Sequence, residues 1–141
     1  MAALLTQLEA DELLALPKLS ALKVVFTWLK NTRQEEVFVE LAGKERKFVL
    51  NLNGNPFEIR LHLRTKGGNV GLARIDNAAQ HMNPDGNVLL GSHLHWYREG
   101  FGLAWAESID WYDTTRPLDT LAKFLEIVHA RFSAGFMEPL L

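Results

Sequence analysis

Short turns separate most of the strand-like segments in the middle of this chain, and they decide what kind of sheet the chain can form. The segments are rich in β-branched and aromatic residues, and the turns between them contain Gly, Asn or Pro. Two parallel strands need a crossover of about a dozen residues or more, so strands joined by such turns must pair antiparallel. The strand-like segments are 23–29, 35–41, 46–52, 57–64, 70–76, 88–90, 93–97 and 103–109.

A helix is predicted on each side of these segments. Thr6 and Glu9 form a capping-box pattern, and Pro17 ends the helix that follows them. Apolar residues repeat at helical spacing over 117–132, which predicts the second helix. A length of 141 residues is typical of one domain. We therefore expect a single α+β domain over residues 1–141, with an antiparallel sheet of about five to seven strands flanked by an N-terminal and a C-terminal helix.

The composition excludes several functional classes. The net charge of -2 provides no overall basic field that would attract nucleic acid. The absence of Cys excludes disulfides, thiolate metal sites and cysteine nucleophiles. No apolar run approaches the ~18 residues of a membrane span, and the start lacks the basic region and cleavage site of a signal peptide. We expect a cytoplasmic protein without membrane contact.

Histidines concentrate in one turn-rich stretch, residues 74–106, which contains His81, His93 and His95 of the five in the chain. Histidine titrates nearest neutral pH and is the commonest metal ligand. Because side chains alternate along a strand, His93 and His95 must point to the same side. The stretch is therefore the candidate functional site.

These histidines can form a metal-free catalytic site together with Arg74 and Asp76. If segments 70–76 and 93–97 are neighbours, His81 can return to the surface that carries the other two. Imidazoles with a pKa of ~6.5 can serve as acid and base at neutral pH. Arg74 would stabilise an anionic transition state, and Asp76 would orient a histidine or Arg74. The predicted catalytic residues are His81, His93, His95, Arg74 and Asp76, with no metal ion and no cofactor.

A second polar face is predicted on segment 57–64, where Glu58, Arg60, His62 and Arg64 alternate with apolar residues and so share one side of the strand. Cations and an imidazole ~6–7 Å apart form a small anion-binding face. The alternative is an ordinary solvated face of a half-buried sheet. The predicted substrate-binding residues are Arg60, His62, Arg64, Tyr97 and Arg98.

A metal site is the alternative interpretation of the same histidines. His93, His95 and Glu99 match H-x-H-x3-E, which is part of a cupin metal motif. The glycine spacing departs from that motif, and the one histidine further along the chain, His129, falls within the predicted helix. A third interpretation is structural, with the histidines bonded to backbone groups near a turn.

The stretch RIDNAAQHMNPDGNVLLGSHLHWYREGFGLAWA resembles a family of small uncharacterised proteins from bacteria and their mobile elements. That family's pattern has R-x-D, a histidine, N-P-D-G, H-L-H-x-Y-R-E-G-[FY]-G and W-A. The opening LTQLEADELLALPK is also similar to the start of that family. The pattern is specific as a signature, but it implies no activity.

A looser likeness is to TumE-type toxins of toxin–antitoxin modules, which carry R-x-D-N-A-x-H-H and a second histidine cluster. Gln80 stands where the first histidine of the pair is expected, and Leu94 interrupts the second cluster. This resemblance implies a growth-inhibiting toxin that acts on RNA. The residues that fit its outline are Arg74, Asp76, Asn77, Ala78, His81, His93 and His95.

Three functional hypotheses follow. The first is a metal-independent ribonuclease of a toxin–antitoxin or mobile-element system, with RNA as substrate and an antitoxin as partner. The second is a non-enzymatic phage or prophage protein that docks on a host protein. The third is a small metal-dependent enzyme that uses His93, His95 and Glu99.

Overall fold

The computed structural model describes residues 5–140, so residues 1–4 and 141 of the expected domain lie outside the described part. Two helices and twelve strands are formed within it, most of them short. Their bounds are α1 (Gln7–Ala15), β1 (Lys18–Ser20), β2 (Phe26–Thr27), β3 (Gln34–Glu40), β4 (Lys47–Gly54), β5 (Ile59–Thr65), β6 (Gly71–Asp76), β7 (Gln80–Met82), β8 (Val88–Leu90), β9 (His93–Arg98), β10 (Gly102–Ser108), α2 (Pro117–Ile127), β11 (Ala130–Arg131) and β12 (Phe136–Met137).

Eight of these strands form one mixed sheet in the order β10-β9-β6-β5-β4-β3-β1-β11. The pairs from β1 to β10 are antiparallel, as the short turns predict. The α+β class is therefore confirmed. The expected antiparallel sheet of about five to seven strands is wrong in number and in direction, because the sheet has eight strands and β1 and β11 pair in parallel at one edge.

β1 and β11 can pair in parallel because α2, which precedes β11, carries the chain back to the edge of the sheet where β1 lies. Turn length constrains only strands that follow one another directly, whereas β1 and β11 are separated by almost the whole chain. The strand β12 also pairs in parallel, with β2, in a separate two-stranded sheet. Both late strands are two residues long, too short for a visible alternation of polar and apolar residues.

The two helices begin as the sequence predicts. The Thr6 hydroxyl accepts a hydrogen bond from the Glu9 backbone N–H, and the Glu9 carboxylate accepts one from Thr6, which completes the capping box. The second helix ends at Ile127 and not at Phe132 as expected. His129 adopts a left-handed conformation with φ of 58°, which stops the helix and turns the chain into β11.

One face of the sheet supplies the hydrophobic core. Apolar residues of four neighbouring strands stand opposite one another in register, for example Leu52, Leu61, Ile75 and Leu94. They belong to the same buried cluster as Phe124 of α2, which lies against this side of the sheet. Because strand side chains alternate, the residues between them are directed to the opposite face, where the candidate site lies.

The strands β7 and β8 form a hairpin outside the main sheet. The N-P-D-G sequence makes its turn: the Gly86 N–H donates to the Asn83 carbonyl, and Gly86 has a φ of 88° that favours glycine. The sequence predicts no strand at β7, whereas it predicts β8 with the bounds that the structure has. No helix of residues 5–140 has the length and apolar character that crossing a membrane requires.

Candidate functional site

The polar face of the sheet brings the predicted residues into two rows across neighbouring strands. His62 on β5 stands opposite Arg74 on β6, and Arg74 stands opposite His95 on β9. In the next row Asp76 stands opposite His93. β6 and β9 are therefore neighbours. The predicted proximity of His81 to His93 and His95 depends on this pairing.

Three imidazoles form a cluster at this end of the two strands. The ring centroids of His93 and His95 are 4.8 Å apart, and the His81 ring lies 5.2 Å and 4.7 Å from them. One ring nitrogen of each histidine lies within 4.8 Å of one nitrogen of both others. We call these three side chains the histidine cluster.

Each histidine of the cluster has one ring nitrogen at a backbone carbonyl. Nδ1 of His93 is 2.9 Å from the Gly91 oxygen, and Nδ1 of His95 is 2.8 Å from the Leu103 oxygen. Nε2 of His81 is 2.8 Å from the Ala104 oxygen. A carbonyl only accepts, so the nitrogen facing it carries the hydrogen. In the neutral ring, the other nitrogen then presents a lone pair.

A β-bulge in β10 supplies two of these carbonyls. The pairing of β9 and β10 shifts register between Gly102 and Trp105, so that Leu103 and Ala104 have no direct partner on β9. Their carbonyl groups accept from His95 and His81. Bulges of this kind commonly redirect groups beside functional sites. Here the bulge fixes the orientation of two imidazoles from different strands.

Asn83 attaches the hairpin that carries His81 to the main sheet. Its side-chain amide donates to the Ala106 carbonyl at 3.0 Å, and its side-chain oxygen accepts from the Ala106 N–H at 2.9 Å. This reciprocal pair imitates a strand-to-strand contact, and Asn83 is buried. The hairpin is thereby held where His81 can reach the other two histidines.

Asp76 faces the cluster from β6. One carboxylate oxygen is 3.5 Å from Nε2 of His93, and the other is 3.9 Å from Nε2 of His95. Nε of Arg74 lies 3.4 Å from the second oxygen. These distances exceed the ~2.7–3.2 Å of a good N–H···O hydrogen bond. The carboxylate is therefore close to two imidazoles without being hydrogen-bonded to either.

The cluster is closed to bulk solvent on most sides. His93 is 1% exposed and His95 is 2% exposed, whereas the Asp76 side chain is 21% exposed. Burial lowers the pKa of His95 to about 4, and the hydrogen bond to Leu103 opposes that shift only in part. His95 is therefore neutral at neutral pH. Its Nε2 is buried and has no hydrogen-bond partner within residues 5–140.

A groove of about 540 Å³ runs over the polar face beside this cluster. His62 lies in it with a pKa lowered by burial and by the nearby Arg74 and Arg64 cations. It therefore contributes a neutral imidazole and not the positive charge that an anion-binding face would gain from it. The residues that line the groove are Arg33, Gln34, Glu35, Asn51, Leu52, Asn53, Arg60, His62, Arg74, Ile75 and Asp76.

Residues 5–130 match the sequence model of DUF6978, described as a family of unknown function. This range includes all three residues of the histidine cluster and the residues that line the groove. The chain belongs to this family. No curated protein matches the chain, and no solved structure matches it. Membership of DUF6978 confirms the expectation of an uncharacterised family. The mobile-element origin and the likeness to TumE-type toxins stay predictions.

In this DUF6978 member, three other candidate residues lie away from the cluster. The Tyr97 hydroxyl is bonded to the backbone of Leu5, and the Arg98 guanidinium lies 4.2 Å above the Trp105 ring. The Arg64 guanidinium donates to the Asn51 and Asn69 side chains at the margin of the groove. All three therefore have structural contacts of their own.

Glu99 also lies away from the histidines, because its carboxylate accepts from the Gln7 backbone N–H at 2.7 Å. The H-x-H-x3-E pattern thus identifies two residues of the cluster, but the carboxylate beside them belongs to Asp76 on β6 and not to Glu99, which follows β9.

The sequence interpretation also missed the groups that orient the cluster. The sequence indicates Asn83 only as part of a turn, although its position two residues after His81, at the start of N-P-D-G, is the available signal. The sequence cannot reveal the role of the Leu103 and Ala104 carbonyls, because every residue has a backbone carbonyl. The glycine at position 102, whose φ is 61° in the structure, was the local sequence indication of the bulge.

Proposed function

We propose that this protein is a metal-dependent hydrolase whose divalent transition-metal ion is bound by His81, His93 and His95. The supporting observation is that each of these imidazoles uses one nitrogen for a backbone carbonyl and keeps the other as a lone-pair donor. Histidine ligands of metal ions have this arrangement almost always, because the second hydrogen bond fixes the tautomer and the ring orientation.

The position of Asp76 supports the same proposal. Donor atoms around a tetrahedral zinc ion are roughly 3.4 Å apart, since each lies ~2.0–2.1 Å from the metal. Asp76 lies 3.5 and 3.9 Å from Nε2 of His93 and His95, too far for hydrogen bonds, so its carboxylate stands beside the place of the ion, where it can accept a proton from a water bound there. The histidine nitrogens lie within 4.8 Å of one another, so the widest separation would shorten by about 1.4 Å on binding the ion.

Burial favours a metal ion over direct attack by the histidines on RNA. In metal-free cleavage, His93 and His95 would have to touch the reacting atoms within about 3 Å. Both side chains are almost completely buried, and a phosphodiester chain is too large to reach them. A single ion can occupy the space between them and act at its open side. The metal-independent ribonuclease stays a prediction that this geometry favours less.

The chemistry then follows from charge. Three neutral imidazoles leave the ion its full positive charge, and catalytic zinc sites commonly combine three protein ligands with a water. An ion held by the three histidines would supply a water of lowered pKa. Asp76 would accept a proton from that water as the water oxygen bonds to the electrophilic atom of the substrate and the bond to the leaving group breaks. The leaving group takes the electron pair and receives the proton from Asp76.

The experiment compares metal-stripped and zinc-loaded protein, purified without a His tag, on 4-nitrophenyl acetate and 4-nitrophenyl phosphate. We expect hydrolysis of at least one substrate only with the ion present, and a loss of about 100-fold or more in kcat for Asp76→Asn. Glu99→Gln is the matched control, because that carboxylate lies outside the cluster and should leave the rate unchanged.

Equal rates with and without the ion, or equal rates for both variants, would contradict the proposal. The toxin and host-docking hypotheses are separate from it. They are tested by inducing the protein in cells and by identifying proteins that purify with it.

A further inference from the structure

We infer that the groove on the polar face binds an organic phosphate monoester, which is the substrate class of the proposed hydrolase. This inference rests on the proposed function, because the groove reaches the histidine cluster through Asp76 and Arg74. The groove volume of about 540 Å³ falls within the ~300–1,000 Å³ of small-molecule sites.

The charges in the groove favour a compact anion. Arg33, Arg60 and Arg74 line it, against the acidic residues Glu35 and Asp76. Within residues 5–140, Arg33 forms no ion pair, and Arg60 contacts Glu58 through Nε at 2.7 Å, which leaves its terminal nitrogens for a ligand. Guanidinium groups bind phosphate oxygens in pairs of parallel hydrogen bonds.

One nitrogen at the groove is a donor without a hydrogen-bond partner. Nε of Arg74 is buried, has no partner among the described residues, and lies 3.4 Å from an Asp76 oxygen, beyond the range of a good hydrogen bond. Nε2 of His62 also has no partner there, but it is enclosed beside Gly71 and Leu103, since a methyl group at Gly71 would lie 2.9 Å from it and 2.7 Å from Leu103. A phosphate oxygen that accepted from Arg74 would satisfy a buried donor, which favours binding.

The lining also indicates what the phosphate is attached to. None of the groove residues is Phe, Tyr or Trp, so the groove lacks the large aromatic rings on which nucleobases commonly stack. Asn53 supplies an amide without a hydrogen-bond partner in the described residues, which suits the hydroxyl groups of a small polar molecule. The overall charge of -2 also gives a long nucleic acid no general attraction.

The reaction would be hydrolysis of the phosphate ester. The water oxygen bonds to phosphorus, and the bond between phosphorus and the alcohol oxygen breaks. The alcohol oxygen keeps the electron pair and takes up the proton, so that the products are inorganic phosphate and an alcohol. Arg74 would balance the negative charge that develops on the phosphate oxygens.

The test measures binding of phenyl phosphate by calorimetry, in metal-stripped and in zinc-loaded protein, with phenol as the uncharged control ligand. We expect phenyl phosphate to bind both forms, more tightly with zinc, and phenol to bind neither. Arg60→Gln should weaken binding about tenfold in both forms, because it removes a charge-assisted contact. Arg116→Gln is the matched control, because Arg116 is an exposed arginine at the start of α2.

The outcomes separate this inference from the proposed function. Zinc binding without phenyl phosphate binding, or phenyl phosphate binding that Arg60→Gln leaves unchanged, would overturn the inference while the metal site stands. Binding without any zinc-dependent hydrolysis would overturn the hydrolase and leave the groove assignment. A short RNA that displaces phenyl phosphate at lower concentration than glycerol phosphate does would show a nucleic-acid site and overturn the inference.

Discussion

At the scale of single residues, the unusual feature of this protein is how many imidazoles lie away from solvent. His93 and His95 are almost fully buried, and burial lowers the pKa of His95 and that of His62, which the Arg74 and Arg64 charges lower further. A neutral imidazole costs far less to bury than a charged one, and it keeps the lone pair that a metal ion needs. The sequence shows which histidines share a strand face, but it cannot show their burial or tautomers. Those depend on carbonyls from distant residues.

His62 provides a prediction for pH. Its pKa is lower in the folded protein than in the unfolded chain, because of burial and the Arg74 and Arg64 charges. As the pH falls below ~6.5, the unfolded chain therefore binds protons first, and the free energy of unfolding decreases. We expect His62→Gln to show a smaller decrease than the wild type between pH 7 and pH 5.

Chemical denaturation across this range measures the effect in metal-stripped protein. His129→Asn is the control, since His129 is exposed and should keep the wild-type dependence. If His62→Gln and the wild type lose the same free energy between the two pH values, the buried neutral state assigned to His62 is wrong.

At the scale of elements, the site depends on a hairpin and a bulge that lie outside the regular pattern of the sheet. Alternating polar and apolar residues predicted β3, β4, β5 and β6 to within a few residues, because one face of these strands is buried. The same argument could not place β7, which has three residues and contributes none to the core. The sequence could therefore predict that His81 lies beside His93 and His95 only on the condition that segments 70–76 and 93–97 are neighbours.

Asn83 provides the prediction for this scale. Asn83→Ala removes both hydrogen bonds to Ala106 and releases the hairpin that carries His81. We expect the free energy of unfolding to decrease by about 1–3 kcal/mol, and the zinc affinity to decrease by roughly 10–100-fold, as for other residues that orient metal ligands.

Thermal denaturation and zinc titration measure the two effects. Asn87→Ala is the matched control, because Asn87 is exposed in the same turn and its side chain has Asp85 as its one hydrogen-bond partner among residues 5–140. Equal zinc affinities for the two variants would show that the attachment of the hairpin does not position His81.

At the scale of the whole molecule, one buried lysine connects both ends of the described chain. The Lys18 ammonium donates to the carbonyls of Leu14 and Leu16 at the end of α1, and to the Val128 carbonyl at the end of α2. A positive charge there also interacts favourably with the negative ends of two helix dipoles. Burial lowers the pKa of Lys18 to about 8, so the ammonium form still dominates at neutral pH.

Lys18→Met therefore leaves three carbonyls without their donor. We expect a loss of about 3 kcal/mol or more in the free energy of unfolding. Lys23→Met, at an exposed position nearby, should change it by less than about 0.5 kcal/mol. Urea denaturation of the two variants decides the point, and similar midpoints would mean that Lys18 does not join the helices.

The parallel edge of the sheet belongs to the same scale. β11 and β1 meet because α2 returns the chain to the first strand, a contact between residues more than a hundred positions apart. Local periodicity contains no information about such a contact. Local patterns were therefore sufficient to predict the α+β class. They could not predict the parallel pair at the edge of the sheet.

The most direct test of the central claim is a titration of metal-stripped protein with Zn²⁺ by calorimetry, repeated with Co²⁺ and followed by visible absorption. We expect one ion per chain, a higher melting temperature, and a cobalt spectrum of imidazole coordination that disappears in His93→Ala and in His95→Asn but not in His129→Asn. If no ion binds, or if it binds equally well after both cluster substitutions, the histidine cluster is not a metal site and the proposed hydrolase is wrong.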